Sequence, residues 1–346
     1  MQMRHGLQRF LVAAAAVALA YQVAGAQTYS RGQNISPAFE GWEKNPDGSF
    51  NFLFGYMNRN WEEEIDVPIG PDNNIQPAGP DQGQPTHFLP RRNRFVFRVR
   101  VPADFGDKEM VWTLTTKGKQ EKAYATLRTD SFVDDVVIAS ETGSLGAGAS
   151  SPEIRSNKHP EVKVEGDKTR TAKVGQPISI TAIVTDDGIP RRRGGFGGGG
   201  SAGGGRGGRG GGGAAPASSG AAPVTPAAAD GGRAAAIAAA GGGRNAALTP
   251  PSRVTVGKVN GLHLSWFVYR GPNAVTFDPL QVKVWEDTRA GANSPWAPLW
   301  QPPVMPADGK LVVQATFSEP GSYVLRARAD DGALFGDEDI KVTVTK

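Results

Sequence analysis

The chain has 346 residues, no cysteine and a formal net charge of +4 at pH 7. The segment 190–250 carries seven arginines against one aspartate, and Arg4 and Arg9 stand near the start, so the rest of the chain is net acidic. This distribution excludes a folded body basic enough to bind nucleic acid. The lack of cysteine excludes disulfides and a lipid-bearing cysteine.

The first 26 residues have the pattern of a secretory signal. Arg4 and Arg9 precede an apolar run over 10–20, and Ala24-Gly25-Ala26 supplies the small residues of a cleavage site. We predict that residues 1–26 are removed and that the protein is exported to the periplasm, the outer surface or the medium. The alternative is that the segment stays attached as an uncleaved membrane anchor. No later run is apolar and long enough to span a bilayer.

Residues 27–140 predict a first β-sandwich. No helical period is sustained in this part of the chain. Four runs have the alternation or composition of strands, namely 50–54, 94–101, 111–115 and 123–127. A short strand over 61–67 has three glutamates on its predicted exposed side, and the stretch 70–90 is too rich in Pro and Gly for anything but loop. The stretch 40–68 also resembles the N-terminal module of predicted exported Gram-negative bacterial proteins, a group with no assigned activity; that resemblance implies export and nothing more.

A Gly/Ser/Ala/Pro linker is predicted over 141–160, and a longer low-complexity segment over 190–250 holds 21 of the 46 glycines. Such a segment cannot bury enough apolar surface to offset its ordering entropy, so we predict that it is disordered. Its arginines suggest an electrostatic tether to anionic envelope polymers such as lipopolysaccharide or acidic polysaccharide. The alternatives are an inert loop and an RNA-binding tract, which export disfavours. The arginines concerned are Arg191, Arg192, Arg193, Arg206 and Arg209.

The last third of the chain predicts a second β-sandwich. Leu262, Leu264, Trp266 and Val268 alternate with more polar residues, and later runs over 311–317, 323–329 and 340–345 are separated by Gly/Pro or Asp-Gly turns. In the run 323–329 the alternate positions carry a valine and two arginines. A core position is expected for Trp266.

The order of these residues resembles the PKD-like (REJ-related) immunoglobulin-like domains of cell-surface and secreted proteins. The matching positions are Leu262, Trp266, Gly271, Pro272, Val275, Phe277, Phe317, Pro320, Gly321, Tyr323, Leu325, Asp331, Gly332, Val342 and Val344. The resemblance implies an immunoglobulin-like fold over 161–346, interrupted after its second strand by the segment 190–250. Such modules serve mostly as spacers or adhesive units. The whole chain is therefore predicted to be all-β, with two β-sandwich domains.

Acidic pairs at strand ends are candidates for calcium binding. Asp186-Asp187 and Asp330-Asp331 lie at the ends of predicted strands, and Asp337-Glu338-Asp339 forms a further cluster. Calcium requires six to eight oxygen ligands, which carboxylates at one end of a sandwich can supply. The alternative is ordinary turn chemistry, because Asp-Gly at a strand end favours a turn. Calcium is the only cofactor that the sequence suggests.

Three tryptophans in a Pro-rich connection are candidates for ligand binding. Trp285, Trp296 and Trp300 are expected on a long loop, where exposed indoles stack on sugar rings or seat a partner protein. The alternative is that these rings fold back to cap the sandwich or pack on the first domain.

The sequence argues against catalysis. His87, His159 and His263 are far apart, and no metal-ligand spacing, nucleophile elbow or phosphate loop occurs. We predict a non-catalytic exported cell-envelope protein that acts in adhesion or scaffolding through protein contacts, with an envelope protein or polysaccharide as partner and no nucleic acid. The alternatives are a carbohydrate-binding module that uses the loop tryptophans and an accessory subunit of a surface enzyme.

Overall fold

The computed structural model describes residues 30–142, 152–190, 254–255, 261–285 and 305–346. The predicted signal at 1–26 and nearly all of the segment 190–250 lie outside these ranges. Within them the predicted all-β class is confirmed, because the strands form two sandwiches joined by a short helical segment.

The first sandwich contains eight strands. They are β1 (Ile35–Lys44), β2 (Phe50–Asn58), β3 (Ile65–Asp66), β4 (Asn73–Gln76), β5 (His87–Phe88), β6 (Arg91–Val101), β7 (Met110–Thr116) and β8 (Lys119–Ala125). One sheet has the order β1-β2-β6, the facing sheet has the order β4-β7-β8, and β3 pairs with β5. The β1–β2 hairpin closes where the N–H of Gly48 donates to the carbonyl of Asn45 at 3.0 Å.

Aromatic rings fill the space between these two sheets. Phe54 stacks on Phe97 with ring centroids 5.3 Å apart, and Trp112 meets Phe97 edge-on at 5.0 Å. The indole N–H of Trp112 donates to Oδ1 of Asn73 at 3.0 Å, so this buried donor is satisfied. Aromatic pairs of this geometry stabilise a core beyond the burial of their area, which suits a small sandwich without disulfides.

The stretch 70–90 is not wholly loop, in contrast to the prediction from its Pro and Gly content. It contains β4 and β5, and Asn73 at the start of β4 is fully buried. The side-chain amide of Asn73 donates to the carbonyls of Val67 at 2.9 Å and Pro85 at 2.8 Å. The side chain of Asn73 thus links Val67 to Pro85. It gives their backbone carbonyls hydrogen-bond donors in a region where the prolines have no N–H to donate.

Two helices follow the first sandwich, where a linker was predicted over 141–160. Helix α1 (Asp135–Thr142) crosses the predicted boundary and helix α2 (Pro152–Ser156) lies inside the predicted linker. The carboxylate of Asp134 accepts the backbone N–H of Val137, in the first turn of α1, at 2.9 Å. This cap favours a helix over the strand that the β-branched residues 136–138 would otherwise prefer. The linker prediction is wrong for α2, because Ile154 is buried there against the rest of the protein.

In the described ranges the second sandwich contains ten strands. They are β9 (Glu161–Val164), β10 (Thr169–Lys173), β11 (Ile178–Thr185), β12 (Val254–Thr255), β13 (His263–Arg270), β14 (Val275–Asp278), β15 (Val282–Lys283), β16 (Lys310–Phe317), β17 (Gly321–Asp330) and β18 (Phe335–Thr345). One sheet has the order β14-β16-β11-β9 and the other has the order β10-β18-β17-β13. Trp266 lies in the core between them, as expected.

This strand order is that of an immunoglobulin-like sandwich. β10 runs parallel to β18, while the other pairs in the two sheets are antiparallel. The residues 191–253 fall between β11 and β13. The interruption therefore follows the third strand of the module and not the second, because the short strands β9 and β10 both precede β11.

The outer face of β17 and β18 is covered by the first sandwich, along a contact that we call the seam. Arg326 and Arg328 alternate with core residues of β17, yet each is only 8% exposed. The seam also contains Val96 from the first sandwich and Tyr269 from the second. Two buried arginines on one strand face require partners, because an unpaired buried charge is costly.

The partners of these arginines lie across the β17–β18 ladder. Arg326 forms a two-pronged pair with Asp339, at 2.7 and 2.9 Å, and its Nη1 donates to the carbonyl of Val96 at 2.8 Å. Its guanidinium lies 3.5 Å from the ring centroid of Tyr269. Arg328 forms the same kind of pair with Asp337, at 2.8 and 2.7 Å. Asp337 and Asp339 are thus used for ion pairs at the seam, whereas Glu338 between them pairs with Lys168.

A second set of seam contacts involves the loop before β5. Arg270 binds both carboxylate oxygens of Asp81, at 3.0 and 2.7 Å, and donates to the carbonyl of Gln84 at 2.9 Å. The hydroxyl of Tyr269 donates to the carbonyl of Gly83 at 2.6 Å. These bonds fix a Pro- and Gly-rich loop of the first sandwich onto an edge strand of the second.

An apolar cluster closes the other end of the seam. It joins the outer face of β2 and β6, the two helices and the β17–β18 turn. Its members are Leu53, Phe95, Val133, Ile138, Ala139, Ile154, Ala333, Leu334 and Phe335. The helical segment therefore packs between the sandwiches and fixes their orientation, which a free linker would not do.

Replacing Arg326 by Ala tests the energetics of the seam. We expect a loss of about 2–3 kcal/mol in the free energy of unfolding, because the change removes the charge-assisted hydrogen bonds of a buried guanidinium to Asp339 and to the carbonyl of Val96. Urea unfolding of the full chain measures this loss. The matched control is Arg100→Ala, which breaks an exposed pair with Asp47 and should cost much less. Equal losses in the two variants contradict a buried seam.

Candidate functional site

A cavity of about 230 Å³ opens where the seam meets the edge of the second sandwich. We call it the seam cavity. Glu64 and His87 line it from the first sandwich, and Trp266, Lys283 and Trp285 line it from the second. Cavities at the junction of two domains, with apolar walls and a few polar groups, are the usual form of ligand sites, so this is the candidate site.

His87 is the most enclosed charged group of the cavity. Its Nδ1 lies 2.7 Å from Oδ1 of Asp66 and its Nε2 lies 3.3 Å from Oε2 of Glu64. Pairing of β3 with β5 brings these residues together, because Asp66 stands opposite His87 in the ladder. Burial alone would lower the pKa of His87, but the hydrogen bonds and charges of the two carboxylates outweigh burial and raise this pKa above its usual value.

This arrangement suits an ion cluster better than a catalytic base. Both ring nitrogens of His87 face carboxylates, so neither is placed to take a proton from a bound hydroxyl or water. His159 is held in the same way, with Nδ1 at 2.7 Å from the carbonyl of Phe335 and Nε2 at 3.0 Å from Asp135. These two histidines therefore position strands and helices around them.

Trp285 is buried, as in the alternative that its ring folds back onto the protein, and not exposed on a loop. Trp285 is only 6% exposed and its ring forms part of the wall of the seam cavity, with the ammonium of Lys283 at 5.5 Å from the ring centroid. The reason is that the strand β15 ends just before it, within the body of the sandwich. Trp296 and Trp300 lie outside the described residues, so a glycan-stacking role for them stays a prediction.

The predicted arginine tether also lies outside the described residues. Its members are Arg191, Arg192, Arg193, Arg206 and Arg209. A role for them in binding anionic envelope polymers stays a prediction.

The carboxylates of the proposed calcium site take part in turns. Asp186 and Asp187 accept the N–H groups of Gly188 at 2.8 Å and Ile189 at 2.9 Å. Asp330 accepts the N–H of Gly332 at 2.7 Å. Among the described residues, no group of three or more His, Asp or Glu side chains is arranged to hold a metal ion. Calcium binding by this set stays a prediction.

Asp331 organises the β17–β18 turn. Its Oδ1 accepts the N–H groups of Ala333 at 2.6 Å and Leu334 at 2.8 Å, and Asn157 donates to its Oδ2 at 3.0 Å. Burial raises the pKa of Asp331 to about 7, although these hydrogen bonds favour its charged form. The turn chemistry that the sequence offered as the alternative to calcium is thus present at this residue, where it also anchors the segment after α2.

The cluster of Glu64, Asp66 and His87 was not predicted from the sequence. Glu64 was expected on the exposed side of a strand, yet its side chain is only 5% exposed. The cluster could have been found only from the pairing of β3 with β5. Each of these strands has two residues, and they pair across a stretch that the sequence predicts as loop. Strands this short leave almost no periodicity in a sequence.

No helix in the described ranges is long and apolar enough to cross a membrane. No protein-family model matches the chain, and no curated protein matches it.

Several solved structures overlap with the chain at low similarity. The surface-layer protein SbsC gives a TM-score of 0.21 at 6% identity, over 90% of this chain and 28% of that one. The D0–D1 domain of intimin gives 0.21 at 9%, over 89% and 97%. The adhesin InvE of Yersinia pseudotuberculosis gives 0.21 at 8%, over 92% and 61%. At these TM-scores the likenesses carry no argument, and the immunoglobulin-like fold of the second sandwich rests on its own strand order.

The raised pKa of His87 predicts how stability depends on pH. The folded state binds this proton more tightly than the unfolded state does, so the stabilisation is complete below about pH 6.5 and is lost as pH rises through the folded pKa. We expect His87→Gln to lower the free energy of unfolding by about 2 kcal/mol at pH 6 and to flatten its decline toward pH 9. Urea titrations at several pH values measure both effects.

Two other groups change stability with the same sign. The pKa of His159 is raised by its hydrogen bond to Asp135, and the pKa of Asp331 is raised by burial. Both persist in the His87 variant, so the difference between the two curves isolates His87. His159→Gln is the control and should have a smaller effect, because His159 is more exposed. Parallel curves for the wild type and His87→Gln contradict a charged His87 at the seam.

Proposed function

We propose that this protein is a non-catalytic exported cell-envelope protein that acts in adhesion or scaffolding through protein contacts. The observation that carries the proposal is the seam. The hydrogen bond from Arg326 to the carbonyl of Val96, the ion pair of Arg270 with Asp81 and the packed helices join the two sandwiches into one unit. Surfaces on both sandwiches then keep fixed relative positions, which a spacer or an adhesive unit requires.

An exposed apolar patch on the first sandwich supports the role of protein contacts. It is defined by the contacting pair Trp42 and Phe132 and by Val137, five residues after Phe132 on α1; Phe132 is 49% exposed and Val137 is 38% exposed. The ring of Trp42 meets Phe132 edge-on at 5.1 Å, so the patch is preformed. Grouped large apolar side chains on a surface favour contact with another protein, since scattered ones are ordinary.

The geometry of the histidines supports the non-catalytic part of the proposal. His87 and His159 have both ring nitrogens committed to carboxylates or a carbonyl. A general base must reach the proton that it removes, and neither residue is free to do so. The export of the protein and the relation of its second sandwich to the PKD-like modules belong to the same proposal, supported by the sequence patterns.

Photo-cross-linking at Phe132 tests the proposed contact surface. We expect p-benzoylphenylalanine at position 132 to give one covalent adduct with an envelope protein, in cells that produce the chain naturally. The matched control is the same group at Tyr124, which is 54% exposed on β8. Adding Val137→Asp should remove the adduct, because it places a charge in the patch.

The outcomes separate this proposal from its alternatives. Equal adducts at positions 132 and 124 contradict a specific contact at the patch. Loss of all adducts on addition of free envelope polysaccharide favours the carbohydrate-binding alternative. Recovery of one enzyme as the adduct at position 132 favours the role as an accessory subunit.

A further inference from the structure

A second concavity, with a volume of about 580 Å³, lies on the outer face of the second sandwich beside the first. We call it the outer cleft. Ile69 and Thr86 of the first sandwich form one wall, and Ser322, Lys341 and Thr343 lie on the side of the second. Its size falls within the range of roughly 300–1,000 Å³ that small-ligand sites occupy.

The floor of the cleft is the interior of a sheet. Lys341 stands between Thr169 on β10 and Val324 on β17, and Thr343 stands beside Ser322 in the next row. The backbone groups of β18 are paired on both sides in these ladders. At β18 a peptide therefore finds no open strand edge, and recognition must come from side chains. The cleft combines apolar surface with several hydroxyls, two cationic side chains and the carboxylate of Asp66.

The charged side chains that line the cleft differ in whether they bind other residues. Asp66 is bound by His87 at 2.7 Å and by the N–H of Asn273 at 3.3 Å. Arg270 is bound by both oxygens of Asp81. Lys341 has no ion pair with any side chain in the described part of the chain. Its charge acts on Asp81, which Arg270 already binds. The ammonium of Lys341 is therefore the cation of the cleft that no described carboxylate binds directly, and it shares the cleft with serine and threonine hydroxyls.

We propose that the outer cleft binds a carboxylated saccharide, with the carboxylate at the ammonium of Lys341 and the sugar hydroxyls at Thr86, Ser322 and Thr343. A sugar acid carries the anion and the many hydroxyls that this lining can pair, and the ring faces of Pro68 and Pro272 offer apolar surface to its C–H groups. This site is separate from the scaffolding function, because the patch residues Trp42, Phe132 and Val137 do not line the cleft.

Titration calorimetry of the mature chain with trigalacturonate, an acidic trisaccharide, tests the site. We expect binding that Lys341→Gln weakens tenfold or more, because a charge-assisted hydrogen bond is lost. The matched control is Lys163→Gln, which removes an exposed lysine from β9 and should leave the affinity unchanged. Thr343→Val, which keeps the charge and shape of the site, should weaken binding severalfold.

Each remaining outcome overturns the proposal. Equal binding of neutral galactotriose shows that the carboxylate is not recognised. Equal binding of triglutamate with the same dependence on Lys341 shows a site for acidic peptides. Binding that Lys341→Gln leaves unchanged, or that Lys163→Gln weakens equally, places the ligand on other basic residues, such as those in 190–250. No binding removes the site, while leaving the cross-linking result at Phe132 unaffected.

Discussion

The structure depends on a ladder of buried charges on the outer face of β17 and β18. Arg326 and Arg328 pair with Asp339 and Asp337 of the same sheet, and both arginines are buried where the first sandwich covers that sheet. Because a shift of the first sandwich would break the bonds from Arg326 to the carbonyl of Val96 and from Arg270 to Asp81, the contact favours one relative placement of the two sandwiches. The seam cavity and the outer cleft both draw their walls from the two sandwiches, so both exist only in that placement.

Strand alternation predicted much of the fold but could not predict the seam. It placed Trp266 and Tyr323 in the core of the second sandwich, and the structure buries both. Alternation shows that a strand has one apolar and one polar face. It does not show whether the polar face is exposed to solvent or buried against another domain. Arg326 would leave the same pattern in either case, and only its partners Asp339 and Tyr269 make it suited to burial.

The candidate site was less predictable than the fold, because short-range sequence rules do not describe it. Residue type alone left open whether Trp285 is a loop platform or a packed ring, and whether Asp331 is a metal ligand or a turn residue. In the structure Trp285 lines a cavity and Asp331 caps a turn. The cluster at His87 depends on strands of two residues that pair across a proline-rich stretch. Each of these outcomes was decided by contacts between residues far apart in the chain, which composition and spacing do not encode.

The position of β18 determines the order in which the second sandwich can be built. This strand comes last along the chain, yet it lies inside its sheet, between β10 and β17. Without it, β10 has no neighbour in its sheet and the inner faces of β17 and β11 stay exposed. The second core therefore closes only after residue 345 has left the ribosome, because β10 and β17 both require β18 between them.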